Sequence, residues 1–177
     1  ETFMTLGDSW SYAPNDNYKS AREVVRMLVD VVAKGGNLLL DVGPDGNGEL
    51  PPVAVSRLHE IGLWMKVNGE AIYRTRKIAP YADGKFRFTS ARDGTIYAIY
   101  LPDEKETELP RTLRIQVSPT SLEGSPQILG AKALLEWHGE GNAIVVDIPE
   151  AERQRSAGAY AWSFRLPARA RALGSVR

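Results

Sequence analysis

The sequence predicts an α/β part followed by an all-β part, and two observations carry that prediction. Residues 37–42 are mostly aliphatic and do not alternate with polar residues. Such a run is typical of a strand buried on both faces, as in a parallel sheet covered by helices. After Tyr81, short runs of alternating apolar and polar residues recur between turn signals. This spacing favours an antiparallel β-sandwich as the second part.

The first predicted helix begins close to Ser20-Ala-Arg-Glu23, which fits a capping-box pattern, with Asn17 or a neighbouring residue as its cap. Its apolar face is formed by residues that recur at intervals of three or four, namely Val24, Leu28, Val31 and Val32. Gly35-Gly36 ends the helix, and the strand at 37–42 follows.

A second helix is predicted after Pro51-Pro52, which are well placed just before a helix start. Asn68-Gly69 ends it, and its predicted apolar face consists of Val55, Leu58, Ile61, Gly62 and Met65. Strand, helix, strand and helix in this order are the βα units of an α/β fold. Two such units cannot close a barrel of eight by themselves.

The all-β part begins between Tyr73 and Tyr81, where the pattern changes. Its predicted strands lie at 85–88, 96–101, 113–117, 132–137, 143–148 and 160–166. Aromatic residues on these strands offer a sugar-binding platform in principle, but they are far more typical of a sandwich core; they are Trp137, Tyr160, Trp162 and Phe164.

Composition excludes several classes of function. The 177 residues carry 22 basic and 22 acidic side chains, so neither a nucleic acid nor a membrane is expected as a partner. No apolar run approaches the roughly 18–20 residues of a membrane span. The first residues lack the basic segment of a secretion signal and resemble the middle of a domain, so we expect a fragment. The absence of cysteine leaves a bacterial periplasmic, secreted or cytoplasmic location open.

Four segments of the chain, taken together, resemble a known family. They are Ser9-Trp-Ser-Tyr12, the helix end Val31-Val-Ala-Lys-Gly-Gly-Asn-Leu-Leu-Leu40, the loop Gly43-Pro-Asp-Gly-Asn-Gly48 and the segment Gly62-Leu-Trp-Met-Lys-Val-Asn-Gly-Glu-Ala-Ile-Tyr73. In order and spacing they are similar to the C-terminal part of family 29 glycoside hydrolases, the α-L-fucosidases.

The resemblance implies a fold and an activity. Residues 1–76 are expected to be the C-terminal part of a catalytic (β/α)8-like barrel, residues 77–168 a C-terminal β-sandwich, and residues 169–177 a frayed tail. The implied reaction is retaining hydrolysis of terminal α-L-fucosyl residues, with two carboxyl groups about 5–5.5 Å apart. The family's nucleophilic Asp lies upstream of the first residue, so the isolated chain is expected to be inactive.

The resemblance also implies site residues. Glu1 corresponds to the Glu of a Trp-Glu pair that serves as general acid/base in some members of the family, so it is the candidate general acid/base; a solvated surface residue is the alternative. Trp10 and Tyr12 are candidate substrate contacts, because an aromatic ring stacks well on a sugar; packing of both rings in the barrel rim is the alternative. The family has Gly at Ser11 and Asn at Asp41, and we expect Asp41 to tie the strand end to a neighbouring loop.

No metal or organic cofactor is predicted. An EF-hand that starts at Asp45 would have Leu50 in place of its Gly and Ser56 in place of its Glu, so the acidic loop fails the test for calcium. The expected partners are a fucosylated glycan and the missing N-terminal barrel portion, on the same chain or as a separate chain of a cleaved enzyme. The sequence leaves the oligomeric state open.

A second hypothesis comes from a different functional class. The all-β part also suits a non-catalytic carbohydrate-binding or interaction module, since such modules are commonly β-sandwiches with exposed aromatic residues. The α/β part argues against this hypothesis, because a binding module has no use for two barrel-type βα units.

Overall fold

The computed structural model describes residues 1–154 and 160–168, so the predicted tail at 169–177 lies outside the described residues. The helices are α1 (Ala21–Ala33), α2 (Pro52–Asn68) and α3 (Glu150–Arg153). The strands are β1 (Thr2–Thr5), β2 (Leu38–Asp41), β3 (Arg76–Asp83), β4 (Phe86–Ser90), β5 (Ile96–Tyr100), β6 (Thr112–Ile115), β7 (Gln127–Ile128), β8 (Trp137–Glu140), β9 (Ala143–Asp147) and β10 (Trp162–Leu166).

The α/β part consists of two parallel strands and two helices. β1 pairs with β2 in parallel, and α1 is the crossover between them. The predicted capping box is confirmed: the Ser20 hydroxyl accepts a hydrogen bond from the Glu23 amide at 3.2 Å, and the Ser20 amide donates to the Glu23 carboxylate at 2.7 Å. Gly35 adopts φ +86° just after the helix, which ends it as predicted.

One face of β1 and β2 packs on the helices, and the other face does not. Met4 and Leu6 share a core with Val24 of α1 and Ala54 of α2. On the opposite face Phe3 is 58% exposed and its cross-strand partner Leu39 is 48% exposed. The prediction that residues 37–42 are buried on both faces is therefore wrong for the described chain, because no described layer covers the second face.

The buried face of α2 is rotated from the predicted one. Ala54, Trp64 and Asn68 are the fully buried residues of this helix, with Leu58 and Ile61 partly buried beside them. Val55 and Gly62, which were predicted to face the core, are exposed. Three apolar residues of this helix are exposed: Val53, Val55 and Leu63.

The second part contains two antiparallel sheets that share one core. The larger sheet has the strand order β3-β4-β5-β10-β7, and the smaller has the order β6-β9-β8. Phe88 and Phe164 from the larger sheet meet Ile115 and Ile144 from the smaller one in a single apolar cluster. This arrangement is compatible with a β-sandwich, and the described chain has no helix between Phe86 and Val117.

The observed strands differ from the predicted ones in several places: β3 and β7 lie outside the predicted strands, and β8 begins at Trp137, where a predicted strand ends. Residues 132–136 form only an isolated β-bridge, between Leu134 and Gln127, and Leu134 is exposed. The Gln127 side chain donates to the Ala131 carbonyl just before this stretch. β3 was missed, because its burial pattern is mostly exposed and its register shifts between Lys77 and Ala82.

The larger sheet lies between the smaller sheet and the helices. Tyr97 and Ile99 of β5 face Val25, Val29 and Trp64 in a second apolar cluster. Ala98 and Tyr100, the alternate residues of β5, face the smaller sheet. β5 is therefore buried on both faces, although its sequence was interpreted as an alternating strand.

Candidate functional site

Two loops follow the carboxyl ends of the parallel strands. The first loop, residues 6–20, connects β1 to α1, and the second loop, residues 42–51, connects β2 to α2. Ligands of α/β proteins bind at the carboxyl ends of parallel strands, so these loops form the candidate site. Trp10 and Tyr12 both lie on the first loop.

The first loop is held in shape by Asp16. Its carboxylate accepts hydrogen bonds from the amides of Asp8 and Ser9, each at 3.2 Å, and from the amide of Asn17 at 2.9 Å. A Cβ at Gly7 would lie 2.1 Å from Asp16 Oδ2, so only glycine lets the carboxylate approach this closely. No local spacing distinguishes Asp16 from other loop carboxylates, so the sequence does not predict this role.

The two loops touch at Gly43. A Cβ on this residue would lie 2.4 Å from the Tyr12 amide nitrogen and 2.6 Å from the Ser11 carbonyl carbon. Backbone atoms cannot move aside as the end of a side chain can, so glycine is required for the contact. Gly43 thereby sets the position of Tyr12 relative to β2.

The second loop is organised by Asp45. Its carboxylate accepts from the Asn47 amide at 2.8 Å and from the Glu49 amide at 3.0 Å. These backbone hydrogen bonds lower the pKa of the Asp45 carboxyl, because they stabilise its charged form. The carboxylate acts on its own loop and is thus accounted for structurally.

Trp10 and Tyr12 present ring surface to the outside. Trp10 is 64% exposed and Tyr12 is 44% exposed. Their loop is fixed from below by Asp16 and Gly43, so both rings are held by ordered backbone. Exposed aromatic rings at the carboxyl ends of parallel strands suit contact with the apolar side of a sugar.

Glu1 lies at the other end of β1. It precedes Thr2, whose amide donates to the Asn37 carbonyl at 2.8 Å at the amino end of β2. At a rise of about 3.3 Å per residue, the strand separates Glu1 from the first loop by roughly 16 Å. The structure brings Trp10 and Tyr12 together on one loop, and it does not bring Glu1 to them.

Asp41 ends β2 with its carboxylate partly unsatisfied. The Oδ2 atom is buried, and none of the described residues donates a hydrogen bond to it. The predicted tie to a neighbouring loop exists through the backbone, where the Asp41 carbonyl accepts from the Leu6 amide at 2.8 Å. The side chain itself makes no such tie.

Within residues 1–154 and 160–168, no group of three or more acidic or histidine side chains is arranged to hold a metal ion. In the same ranges, no helix combines the length and the apolar character that crossing a membrane demands.

Comparison with known proteins gives one consistent result. A sequence model described as alpha-L-fucosidase matches residues 1–70. The chain is 33% identical to an alpha-L-fucosidase of Branchiostoma floridae over 175 residues, which cover 94% of this chain and 38% of that protein. It is 30% identical to the plasma alpha-L-fucosidase of Homo sapiens, covering 94% of this chain and 37% of the relative.

Solved structures agree with the sequence relatives. Alpha-L-fucosidase isoenzyme 1 from Paenibacillus thiaminolyticus superposes with a TM-score of 0.78 at 28% identity, covering 94% of this chain and 39% of that one. The Thermotoga maritima alpha-fucosidase, solved in complex with fucose, gives 0.78 at 26% identity, with 93% and 38% covered. The chain thus spans well under half the length of the proteins it matches.

Proposed function

The chain belongs to the α-L-fucosidase family, whose C-terminal part it matches, and we propose that it completes a retaining exo-glycosidase that releases terminal α-L-fucosyl residues. In this proposal residues 1–76 supply the last βα units of a catalytic (β/α)8-like barrel. Residues 77–168 supply the C-terminal β-sandwich. The substrate is a fucosylated glycan or oligosaccharide, and the compartment stays open between periplasmic or secreted and cytoplasmic.

The uncovered face of β1 and β2 carries the proposal. Parallel strands occur almost only in sheets covered on both faces, because helical crossovers line them. Here Phe3 and Leu39 lie on a face that no described element covers, and each strand pairs on one side only. An upstream polypeptide that continues the sheet on both edges would enclose these residues inside a barrel. Val55 and Leu63 on α2 offer a further apolar surface for a neighbouring helix of the same barrel.

The proposed chemistry divides between the two polypeptide portions. A retaining glycosidase uses one carboxylate as nucleophile and a second as acid and then base, about 5–5.5 Å apart. The nucleophile is assigned to the upstream portion. This chain contributes Glu1 as candidate acid/base, an assignment that rests on the family resemblance, and Trp10 and Tyr12 as candidate sugar contacts.

Position favours the aromatic pair over Glu1. Barrel enzymes react at the carboxyl ends of their strands. Trp10 and Tyr12 lie at that end, and Glu1 lies at the amino end of β1. The two assignments therefore call for separate tests.

The alternative of a non-catalytic carbohydrate-binding module gains no support from the antiparallel part. Trp162 and Phe164 are buried in the core between the two sheets, and Trp137 packs against that core. The Tyr160 hydroxyl donates to Glu60 of α2 at 3.0 Å. The aromatic residues that suggested a sugar platform are thus engaged in packing.

Turnover of an aryl α-L-fucoside tests the proposal. We expect the full-length protein, expressed from the complete reading frame, to release the aryl group and fucose. We expect the 177-residue chain, shown by intact mass and N-terminal sequencing to be free of upstream polypeptide, to release neither. Failure of the full-length protein on a panel of fucosides would refute the activity, and turnover by the pure chain would refute the upstream nucleophile.

A further inference from the structure

The helical layer and the larger sheet meet along one surface, here called the seam. It joins α1, α2 and the turn Gly69–Ala71 to the outer face of β4, β5 and β10. Its apolar centre includes Val29, Trp64 and Ile99, and the Trp64 indole donates to the Ala161 carbonyl at 3.0 Å. Carboxylates from the helical layer form hydrogen bonds across this centre.

Glu70, on the turn after α2, makes the most extensive of these contacts. Its carboxylate accepts from the Tyr97 hydroxyl at 2.6 Å and from Arg165 Nε at 2.7 Å, and Arg165 Nη2 bonds its second oxygen. Partial burial alone would raise the pKa of Glu70, but the hydrogen bonds from Arg165 and Tyr97 outweigh it and lower that pKa. Asp93 is the one described acidic neighbour that opposes this effect.

Asp30 of α1 makes a second contact across the seam. It accepts from Arg87 Nε of β4 at 2.7 Å and from Lys34, which directly follows α1. Burial alone would raise the pKa of Asp30, and the hydrogen bonds from Lys34 and Arg87 lower it.

Glu60 of α2 makes the third contact. It accepts from the Tyr160 hydroxyl at 3.0 Å and from Arg57 Nη1 at 2.8 Å. The Ser56 hydroxyl donates a longer hydrogen bond to it, at 3.4 Å. The hydrogen bond from Tyr160 is the main cause that lowers the pKa of Glu60. All three carboxylates therefore face donors of the antiparallel part, and all three are on the helical side.

Other charged groups also lie along the seam: Arg26 of α1 lies near the carboxylates of Asp103 and Glu104, and Asp93 lies near Glu70. Arg26 Nη1 donates to the Pro102 carbonyl at 2.6 Å, and Arg22 bonds the same oxygen. The core between the two sheets is apolar. Glu106, which accepts from Lys85 at 2.8 Å and from the Tyr100 hydroxyl at 3.0 Å, lies within the antiparallel part and does not cross the seam.

We propose that the seam is an acid-sensitive joint: below about pH 4 the helical layer separates from the larger sheet while the two sheets stay packed. Each carboxylate that is held charged in the folded state stabilises the seam fully above its unfolded pKa, near 4. That stabilisation is lost as the pH falls through the lower folded pKa, because protonation removes the acceptor charge. The joint is a property of the described chain and does not depend on the proposed reaction.

Hydrogen exchange read by mass spectrometry tests the joint in the 177-residue chain. After correction for intrinsic exchange rates, the opening constants of amides in α1 and α2 should rise by about tenfold or more between about pH 6 and about pH 3. Amides of β6 and β9 should change by less than about threefold. Similar losses in the helices and in both sheets would overturn the proposal.

Neutral variants supply the control. The triple variant Asp30→Asn, Glu60→Gln and Glu70→Gln should open its helices at pH 6 more than the unmodified chain does, with a smaller further change on acidification, because Asp93, Asp103 and Glu104 remain at the seam. Glu106→Gln should leave the pH dependence of the helices intact. If the triple variant does not fold, Glu70→Gln alone should weaken that dependence. An undiminished pH dependence in the variant that folds would overturn the proposal.

Discussion

Asp41 carries a buried carboxylate oxygen that lowers the stability of an otherwise well-paired strand. Its backbone completes the pairing of β2 with the first loop, yet its Oδ2 atom is buried without a donor among the described residues. An ionised oxygen that loses water without gaining a hydrogen bond costs free energy, and a neutral amide at the same place costs less. The Asn that the family resemblance implies at this position is consistent with that balance.

We predict that Asp41→Asn stabilises the chain by about 1–2 kcal/mol at neutral pH, because it removes the charge from a buried, unsatisfied oxygen. Urea unfolding measures the change. Asp147→Asn, at an exposed position, is the matched control and should alter the free energy of unfolding by less than about 0.5 kcal/mol. A loss of stability in Asp41→Asn would show that the carboxylate is needed as a charge.

Glu1 is tested by Glu1→Ala in the full-length protein. If Glu1 is the acid/base, the rate should fall by about 10²–10⁴-fold for a sugar leaving group and less for an activated aryl group, which departs without a proton. Azide should restore part of the rate, because it attacks the fucosyl-enzyme without a base. Equal losses for both leaving groups and no rescue by azide would assign the role to another carboxylate.

The two loops are the elements on which the candidate site depends, and each is fixed by a carboxylate and a glycine. Asp16 and Gly7 hold the first loop, and Asp45 and Gly43 hold the second. The exposed rings of Trp10 and Tyr12 stand on this ordered backbone. Precision in the loops therefore comes from backbone contacts and not from packing of the rings themselves.

We predict that Gly43→Ala destabilises the chain by about 1–3 kcal/mol, because its Cβ would overlap backbone atoms of Ser11 and Tyr12. In the full-length protein the same change should raise KM, since Tyr12 is displaced. Gly46→Ala is the matched control: its Cβ meets nothing within 4 Å, so both quantities should stay close to those of the unmodified protein. A Gly43→Ala protein that is as stable and active as the control would refute the role of the contact.

Local signals predicted the elements better than they predicted what covers them. The capping box at Ser20 and the glycine stop at Gly35 are decided by neighbouring residues, so the sequence sufficed for α1. The exposure of Leu39 and the two-sided burial of β5 depend on distant layers, and no local pattern encodes those. The order of strand and loop predicted where Trp10 and Tyr12 lie, but it did not predict the hydrogen bonds by which the Asp16 carboxylate holds the loop.

At the scale of the whole molecule, the antiparallel part of the described chain is covered by packed layers, whereas the parallel pair of strands has an uncovered face, here called the open face. The larger sheet is covered by the smaller sheet and by the helices, and both contacts are apolar. The parallel pair β1 and β2 is covered on one face only. The relatives are more than twice as long as the stretch that this chain spans.

Because of the open face, one double variant should affect stability little in the 177-residue chain and strongly in the full-length protein. In the 177-residue chain, Phe3→Thr with Leu39→Thr should change the free energy of unfolding by less than about 1 kcal/mol and improve solubility, because both side chains are exposed. In the full-length protein the same pair should cost several kcal/mol, at about 2 kcal/mol or more for each truncated buried side chain. Thermal and urea unfolding of both proteins measure the difference, and equal effects would contradict a covered face.

The stereochemistry of the first product tests the central claim most directly. Proton NMR, recorded during the first minutes after the full-length protein meets an aryl α-L-fucoside, distinguishes the two anomers of free fucose before they equilibrate. A retaining mechanism with a covalent fucosyl-enzyme predicts that α-L-fucose appears first and the β anomer follows by mutarotation. Initial release of β-L-fucose, or no release of fucose at all, would contradict the assignment of this chain to a retaining α-L-fucosidase.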